Sequence, residues 1–589
     1  MRQPLLSSFL TLVTALSGSF GRSIPRDPEA SLQPREECEN TPTSRHCWGK
    51  YSIDTDYYDN YPTNNGPAKE FWLSVEEGPC SPDGYERTCK TFNGTVPGPT
   101  LFVDWGDEVI VHVTNNMVSN ATSVHFHGVR MLNNSINDGV PGVTQCPIPP
   151  GHTMTYRFQV TQYGSTWYHS HLSLQYADGM FGGFVVRGPT TDNYDEDLGV
   201  LFLQDWSHVE AFTNWHVAMA GPPPPIDNWL INATNTYNCT GRNDDKCVGG
   251  GKKFEMVFEQ DKKYLLRLFN VAMEGVFEFS IDGHSLEVVG NDLVPIVPYM
   301  TDSVQLSIGQ RYDVIVHANA DPGNYWLRAH WVKGCDGNSS ANVDPYVHST
   351  GIVRYDAGST DDPETESHVT PTTSCLGEPP EKTIPYLSID VANTKGGVVY
   401  EEMGSKQPSM PEEYFQWTIN TSSLVLNWTL PTMDKIMKNE NVFPTEYNVV
   451  PIKSSGTGPE WAALLIQDIS EEKIPHPIHL HGHDFWVLAA GDGVFDGDKN
   501  KFNTNNPARR DVATLPGGGY IAVAFRLDNP GAWLIHCHIG WHASQGLALE
   551  FIENQSDITF DELSIREYEE TCKAWGEWEP VWPQDDSGI

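Results

Sequence analysis

An internal repeat constrains the fold of this chain more than any other feature of its sequence. Three segments that each begin at a glycine align without gaps: GSTWYHSH at 164–171, GNYWLRAH at 323–330 and GAWLIHCH at 531–538. Each follows a strand-like run that itself comes after a glycine, at Gly151, Gly309 and Gly519. Self-similarity of this kind indicates one supersecondary plan that is used several times. We therefore predict three related domains, at 50–190, 195–357 and 383–560.

Short apolar runs separated by turn residues predict the fold class. Strand-length stretches recur along the chain, for example VIVHV at 109–113, YRFQV at 156–160 and IAVAF at 521–525. Long amphipathic helical patterns are scarce, so the chain is predicted to be all-β, built from sandwiches or barrels. Residues 358–382 are rich in Pro, Thr, Ser and acidic side chains and are predicted to form a linker. Residues 561–589 would then form a C-terminal tail.

The first and third copies of the repeat carry pairs of histidines. There are four His-x-His pairs: His125/His127, His169/His171, His479/His481 and His536/His538. Residues i and i+2 of a strand point to the same face, so each pair offers two imidazoles to one side. Eight imidazoles from two domains can surround three metal ions, and imidazole suits copper, zinc and iron. The middle copy has Arg328-Ala-His330 instead and is predicted to be structural.

A second set of metal ligands is predicted in the third domain. Cys537 and His542, with His476 upstream, form a His₂Cys set, which is the ligand set of a blue-copper centre. A structural zinc is the alternative, but zinc sites that contain cysteine usually have four ligands, and no fourth is obvious. Leu547 follows Cys537 by ten residues, where a weak axial methionine could otherwise lie. A leucine there would leave the copper three-coordinate and raise its potential.

Composition and the N-terminus indicate an exported protein. Residues 1–20 combine Arg2, an apolar stretch and small residues, which is typical of a signal peptide. No later apolar run approaches the ~20 residues of a membrane span. The net charge of −40 argues against nucleic acid and anionic membranes as partners. Nine Asn-x-Ser/Thr triplets agree with a secreted, extracellular glycoprotein.

The cysteine count predicts disulfides and one free thiol. Eleven cysteines leave one unpaired, and Cys537, between two histidines, is the natural candidate. The other ten allow five bonds. The sequence leaves their connectivity open, with one plausible set being Cys38–Cys47, Cys80–Cys89, Cys239–Cys247, Cys335–Cys375 and Cys146–Cys572.

These motifs resemble those of the multicopper oxidases, most closely the ascomycete-type laccases. The resemblance rests on HCHIGWHASQGL at 536–547, HPIHLH at 476–481, HFHG at 125–128 and WYHSH at 167–171. It spans about residues 70–560 and implies three cupredoxin-like Greek-key domains with four copper ions. The implied ligands of type 1 copper are His476, Cys537 and His542, and those of type 2 copper are His125 and His479. One type 3 copper would be held by His127, His169 and His538, and the other by His171, His481 and His536.

The resemblance also implies an activity and further residues. The enzyme would oxidise phenolic or other aromatic reductants, such as benzenediols, one electron at a time and reduce dioxygen to water. Asp138 is similar to the family's carboxylate near the three copper ions of the type 2 and type 3 sites; its alternative is a turn residue. Glu274 is similar to an acid beside the blue copper that receives the phenol proton; its alternative is a solvated loop acid. The last residues, ending at Ile589, resemble a C-terminal plug, with a frayed end as the alternative. We expect a monomer.

Three other kinds of protein remain open at this point. A ferroxidase would need acidic residues at the blue site that bind ferrous iron, and commonly has a membrane anchor. An ascorbate oxidase would be expected to have a methionine in place of Leu547. A copper-carrying secreted glycoprotein without turnover is a different class, and the complete ligand sets for four coppers argue against it.

Overall fold

The computed structural model describes residues 38–58, 60–63, 66–335, 349–391, 398–408, 414–454, 460–578 and 584–589. The predicted signal peptide at 1–20 lies outside these residues. Within them the chain forms 32 β-strands and four α-helices. The prediction of an all-β fold is therefore confirmed.

Ten strands form the first third of the described chain. Their bounds are β1 Cys47–Trp48, β2 Tyr51–Ser52, β3 Lys69–Cys80, β4 Arg87–Phe92, β5 Gly98–Asp104, β6 Glu108–Asn115, β7 His125–Phe126, β8 Thr153–Gln159, β9 Gly164–His169 and β10 Phe181–Arg187. β1 pairs with β2, and the others form two four-stranded sheets, β4-β3-β6-β8 and β5-β10-β9-β7. On β6, Val109, Val111 and Val113 are buried and alternate with more exposed residues, as expected for a strand with one face on a core.

The middle third contains eleven strands and one helix. Their bounds are β11 Glu196–Trp206, α1 Ala211–Ala218, β12 Asn228–Ile231, β13 Glu255–Val257, β14 Lys263–Asn270, β15 Phe277–Ile281, β16 Leu286–Asn291, β17 Val294–Thr301, β18 Val304–Leu306, β19 Arg311–His317, β20 Asn324–Trp331 and β21 Ser349–Arg354. They form a six-stranded sheet, β12-β11-β14-β19-β16-β17, and a five-stranded sheet, β13-β21-β20-β15-β18.

The last third repeats this pairing of a six-stranded and a five-stranded sheet. Its elements are β22 Val398–Lys406, β23 Gln416–Ile419, α2 Thr432–Met437, β24 Val449–Ile452, β25 Trp461–Asp468, β26 His476–Leu480, β27 Phe485–Asp492, β28 Arg509–Arg510, β29 Val512–Leu515, β30 Gly519–Arg526, β31 Gly531–Cys537, α3 Gly540–Ser544, β32 Ala548–Glu553 and α4 Glu562–Glu577. The sheets are β23-β22-β25-β30-β27-β28 and β24-β32-β31-β26-β29. The predicted residue limits of the three domains, the linker and the tail stay a prediction.

The three repeat segments occupy equivalent strands, β9, β20 and β31. Each of these lies between an earlier and a later strand and pairs antiparallel with both: β9 with β7 and β10, β20 with β15 and β21, and β31 with β26 and β32. Antiparallel pairing places directly opposite residues on the same face of the sheet. In each of the three repeats, side chains at equivalent positions of two neighbouring strands are therefore brought together on one face of a sheet.

Five disulfides join the ten cysteines as the plausible set above proposed, and Cys537 is left as a buried free thiol. The predicted pairs and the predicted odd cysteine are confirmed. The Cys146–Cys572 bond ties α4 to the first third of the chain. The side chain of Asp561 caps this helix by accepting from the amides of Leu563 and Ser564 at 3.0 Å each.

None of the helices in the described part of the chain combines the length and the apolar content needed to cross a lipid bilayer.

Candidate metal centre

Strand pairing brings the four His-x-His pairs together two at a time. His125 lies directly opposite His169 in the first third, and His479 lies directly opposite His536 in the last third. All eight imidazoles are buried, with at most 5% of any residue exposed. Because the i and i+2 residues share a face, each third contributes four imidazoles to one surface.

The two surfaces meet and form a single histidine cluster. The ring of His125 stacks on that of His481 with centroids 4.0 Å apart, and the ring of His127 stacks on that of His479 at 3.9 Å. Three groups within the cluster have ligand atoms that lie within 4.8 Å of one another: His125/His479/His481, His125/His127/His169 and His171/His481/His536. His538 completes the cluster, with its ring 5.0 Å from that of His127. Every predicted ligand of the type 2 and type 3 sites thus lies in one place.

The hydrogen bonds of these imidazoles leave their other nitrogen free to bind metal. Five of them donate Nδ1–H to an oxygen: His125 to the Asp138 carbonyl (2.8 Å), His479 to the Asp511 carbonyl (2.8 Å), His481 to the Asp138 carboxylate (2.8 Å), His169 to the Ser170 carbonyl (2.9 Å) and His536 to the Cys537 carbonyl (2.9 Å). The Nε2 atoms of these five are buried and have no hydrogen-bond partner among the described residues. An imidazole that donates from one nitrogen and presents a bare lone pair on the other is oriented as a metal ligand. The donor set therefore fits a group of metal ions.

The protonation states agree with this role. Burial, the largest cause, lowers the pKa of seven of the imidazoles: His127, His169, His171, His479, His481, His536 and His538. For His536 the pKa falls to about 4. These side chains are neutral near pH 7, and a neutral imidazole is the form that binds metal.

The predicted His₂Cys set forms a tight triangle. The Sγ atom of Cys537 lies 3.5 Å from Nδ1 of His476 and 3.6 Å from Nδ1 of His542, and the two nitrogens are 3.1 Å apart. An ion at the usual metal–nitrogen distance of roughly 2 Å can contact all three atoms. Burial lowers the pKa of His476 to about 3, so its nitrogen is available as a ligand. Leu547 and other apolar side chains line a small cavity beside Cys537. The triangle has the chemistry of a blue-copper centre.

The two candidate sites share strand β31. Cys537 follows His536 directly and precedes His538, and successive side chains of a strand point to opposite faces. The thiol therefore faces the His₂Cys triangle while both neighbours face the histidine cluster. A single covalent segment, His536-Cys537-His538, connects the two sites.

Asp138 lies at the histidine cluster. Its carboxylate and its carbonyl accept hydrogen bonds from His481 and His125, respectively, and the residue is fully buried. The next residue, Gly139, has a φ of +87°, and a Cβ atom there would lie 1.9 Å from the carbonyl oxygen of Val124. Glycine is needed at this position to bring Asp138 close to the histidine-bearing strand.

Glu274 lies beside the His₂Cys triangle. It is 4% exposed, so it is not a solvated loop acid, and its Oε2 accepts from Nε1 of Trp541 at 2.9 Å. Trp541 immediately precedes the predicted ligand His542. Nearby, His483 contacts the His481 carbonyl oxygen through Nδ1 (3.1 Å) and the Glu553 carboxylate through Nε2 (3.0 Å).

Asp511 and Arg311 also border the histidine cluster and were not predicted. Nη1 and Nη2 of Arg311 donate to the two carboxylate oxygens of Asp511 at 2.5 and 2.6 Å. Asp511 Oδ1 also lies 3.4 Å from Nε2 of His127. Burial raises the pKa of Asp511 to about 7 although Arg311 opposes the shift. The charged run at 509–511, directly before an apolar strand, was the sequence signal that could have indicated a buried ionic group.

The end of the chain is buried rather than frayed. Ile589 is 3% exposed and packs in a core cluster with Ala543 and Ala548. The amide of Ser587 donates to the carbonyl of Ser544 at 2.9 Å, and Asp586 accepts from Ser173. The function of this segment as a plug stays a prediction.

A chain of paired β-sheets in three repeats, with a His₂Cys triangle covalently joined to an eight-histidine cluster, defines the multicopper oxidases. Three family models described as multicopper oxidase match residues 74–191, 197–358 and 414–557. Laccase-2 of Botryotinia fuckeliana is 51% identical over 99% of this chain and 100% of the relative. The chain belongs to the multicopper oxidase family.

Solved structures narrow the class further. The crystal structure of a laccase from Botrytis aclada is 52% identical and superposes with a TM-score of 0.89, covering 94% of this chain and 100% of that one. Fet3p, a multicopper oxidase that functions in iron import, is 26% identical with a TM-score of 0.75, covering 87% and 95%. The protein is a laccase-type multicopper oxidase, a copper-dependent oxidoreductase with four coppers in three cupredoxin-like Greek-key domains.

Proposed function

We propose that this enzyme removes single electrons from phenolic or other aromatic reductants, such as benzenediols, and uses them to reduce dioxygen to water. The observation that carries the proposal is the arrangement on strand β31. There, a site that can take one electron at a time and a cluster that can hold several metals are joined by the Cys537–His536 and Cys537–His538 segments.

The ligand assignment is the one that the resemblance implies, and the groups His476/Cys537/His542 and His171/His481/His536 support it. His476, Cys537 and His542 would hold type 1 copper; His125 and His479, type 2; His127, His169 and His538, one type 3 copper; and His171, His481 and His536, the other. Bound there, copper supplies one-electron redox chemistry at the thiolate site and at the histidine cluster. Burial keeps the seven cluster imidazoles with a lowered pKa neutral, and the five Nδ1–H hydrogen bonds described above aim the Nε2 lone pairs of their imidazoles into the cluster.

Glu274 is the proposed acceptor of the substrate proton. A phenol that loses one electron also loses the hydroxyl proton, and a carboxylate within reach can accept both a hydrogen bond and that proton. Four phenols supply four electrons and four protons, and dioxygen takes up the same number to give two water molecules. At the other site Asp138 orients His481 and His125 and is the proposed carboxylate for delivering protons to dioxygen.

We also propose that the enzyme acts as an extracellular monomer. The chain has five disulfides. Disulfides are stable in oxidising compartments and rare in the cytosol. The Asn-x-Ser/Thr triplets and the N-terminal sequence pattern agree with export.

Oxygen uptake by the purified enzyme, with its copper content measured, tests the proposal. A panel of phenols, ferrous iron and ascorbate should give the highest kcat/KM with a phenol. A higher value with ferrous iron would indicate a ferroxidase, and a higher value with ascorbate an ascorbate oxidase. Full copper loading with no turnover of any donor would indicate a copper-carrying glycoprotein.

A further inference from the structure

A buried carboxylate holds the loop that carries Glu274. Asp205, near the end of β11, is 4% exposed. Its Oδ1 accepts from the amide of Met273 at 2.7 Å, and its Oδ2 accepts from the amides of Glu274 at 2.9 Å and Gly275 at 3.1 Å. Successive backbone N–H groups that converge in this way form an anion-binding nest. In this protein the anion that occupies the nest is the carboxylate of Asp205 itself.

A second buried residue holds the rest of the same loop. Asn270 accepts from the amide of Ala272 at 2.9 Å and donates to the carbonyl of Gly275 at 2.8 Å. A Cβ atom on Gly275 would lie 2.5 Å from the ring of Trp331, so the loop packs closely on that side. Asp205 differs from Asn270 because it binds the amide of Glu274 itself.

The same loop contacts helix α3, which carries His542. The Met273 carbonyl accepts from the amide of Gly540 at 3.1 Å, and the Glu274 carboxylate accepts from Trp541 Nε1 at 2.9 Å. The backbone fixed by Asp205 therefore determines where the Glu274 carboxylate lies relative to the His₂Cys triangle.

We propose that Asp205 is a positioning residue for phenol oxidation, which holds the amides of residues 273–275 so that the Glu274 carboxylate can receive the proton of the substrate. The inference rests on the function proposed above. Asp205 acts through Glu274 and makes no contact with the reductant. Burial raises its pKa to about 6 against the opposing effect of the three amide donors, which indicates how fully the carboxyl group is enclosed.

The Asp205→Asn variant tests this role because it keeps the side-chain size. An amide replaces one acceptor oxygen with an NH₂ group, which would then face a backbone N–H that has lost its acceptor. The copper-loaded variants Asp205→Asn, Glu274→Gln and the double variant are compared with two donors: a phenol, and hexacyanoferrate(II), which has no proton to lose.

The measured quantity is the ratio of kcat/KM for the phenol to kcat/KM for hexacyanoferrate(II), taken across pH. Asp205→Asn should lower the ratio about tenfold and change the pH profile for the phenol in the same direction as Glu274→Gln. The ratio for the double variant should be no lower than that for Glu274→Gln alone, since both substitutions impair the same group, the Glu274 carboxylate. Asp205→Glu, which keeps two acceptor oxygens, should recover part of the ratio.

Asp83→Asn is the matched control. Asp83 is also buried, at 1% exposed, but accepts from the side chains of His208 (2.8 Å) and Asn228 (2.9 Å) instead of the amides of residues 273–275. This variant should be less stable with an unchanged ratio. An equal loss with both donors in Asp205→Asn, or losses that multiply in the double variant, would overturn the inference. An unchanged ratio in Glu274→Gln would instead refute the proposed role of Glu274, and the inference with it.

Discussion

The middle and last repeats use one scaffold for opposite purposes. In the last repeat the equivalent positions hold His479 on β26, His481 directly after β26 and His536 on β31. In the middle repeat they hold Ser280 on β15, Asp282 directly after β15 and Arg328 on β20. Arg328 donates to the two oxygens of Asp282 at 2.7 and 2.6 Å. The charged groups of the middle repeat thus satisfy each other in the Arg328–Asp282 pair, whereas the last repeat buries bare imidazole nitrogens.

This difference shows what decides the function of a repeat. Antiparallel pairing supplies the convergence of side chains in both cases, and the residue types then select a metal cluster or an ion pair. A bare buried nitrogen costs free energy until a metal binds it, whereas the Arg–Asp pair is complete in the folded chain alone. Copper is therefore expected to stabilise the end repeats and not the middle one.

Replacing Cys537 with serine should have the largest effect. The thiolate is the ligand that gives a blue-copper centre its colour, so the visible absorption and phenol oxidation should both be lost, while the histidine cluster still binds copper. Absorption spectra and copper counts measure this outcome. Ala329→Ser, at the equivalent position of β20, is the control and should remain blue and active. A Cys537→Ser enzyme that stays blue would refute the ligand assignment.

A buried acid in the last repeat should make stability depend on pH. Glu550 lies opposite Leu534, and the equivalent residue of the middle repeat is Ile352. Burial raises the pKa of Glu550 to about 8 from an ordinary 4.5, with a hydrogen bond from Thr432 acting in the other direction. The folded chain then binds a proton that the unfolded chain has lost, so the stability due to this group falls as pH rises from about 5 to 8.

The Glu550→Gln variant measures that effect. The difference in unfolding free energy between this variant and the wild type should shift in favour of the variant by about 1.4 kcal/mol per pH unit over that range. Denaturant unfolding at several pH values gives the slope. A difference that does not change with pH would mean that Glu550 is ionised in the folded protein. Ile352→Val serves as the control without an ionisable group.

Breaking the ion pair of the middle repeat should lower stability without removing copper. Arg328→Met leaves Asp282 as an unpaired buried carboxylate, which costs about 3 kcal/mol. Thermal unfolding and a copper count check both parts of this prediction. Loss of copper from Arg328→Met would show that the middle repeat contributes to the metal sites after all.

A smaller effect is expected from Leu547→Met. A thioether near the copper would add a weak axial ligand, stabilise the oxidised state and lower the potential, by on the order of 59 mV for a tenfold change in a one-electron equilibrium. Redox titration measures the shift, and Leu549→Met, also buried, is the control. An unchanged or higher potential in Leu547→Met would place this residue away from the axial position.

Local spacing explains why much of the site could be predicted from sequence. Two histidines at i and i+2 indicate a shared strand face, and an odd cysteine between two histidines indicates a metal ligand and not a disulfide partner. The same reasoning could have aligned SIDGH at 280–284 with HLHGH at 479–483 and so identified Asp282 as the partner of Arg328.

Other contacts could not be read from spacing. Asp511 meets Arg311, 200 residues away, and Asp205 meets Glu274 through backbone amides that every residue has. Contacts of this kind depend on how the sheets pack, and no periodic pattern records them. Only the short charged run at 509–511 hinted at a buried ionic group.

Anomalous diffraction at the copper edge from crystals of the loaded enzyme tests the central claim most directly. We predict one copper among His476, Cys537 and His542, three within the eight-histidine cluster, and none beside Asp282 and Arg328. A copper peak at the Asp282–Arg328 pair, or fewer than three peaks in the histidine cluster of fully loaded enzyme, would contradict this account of how the repeats divide metal binding from structure.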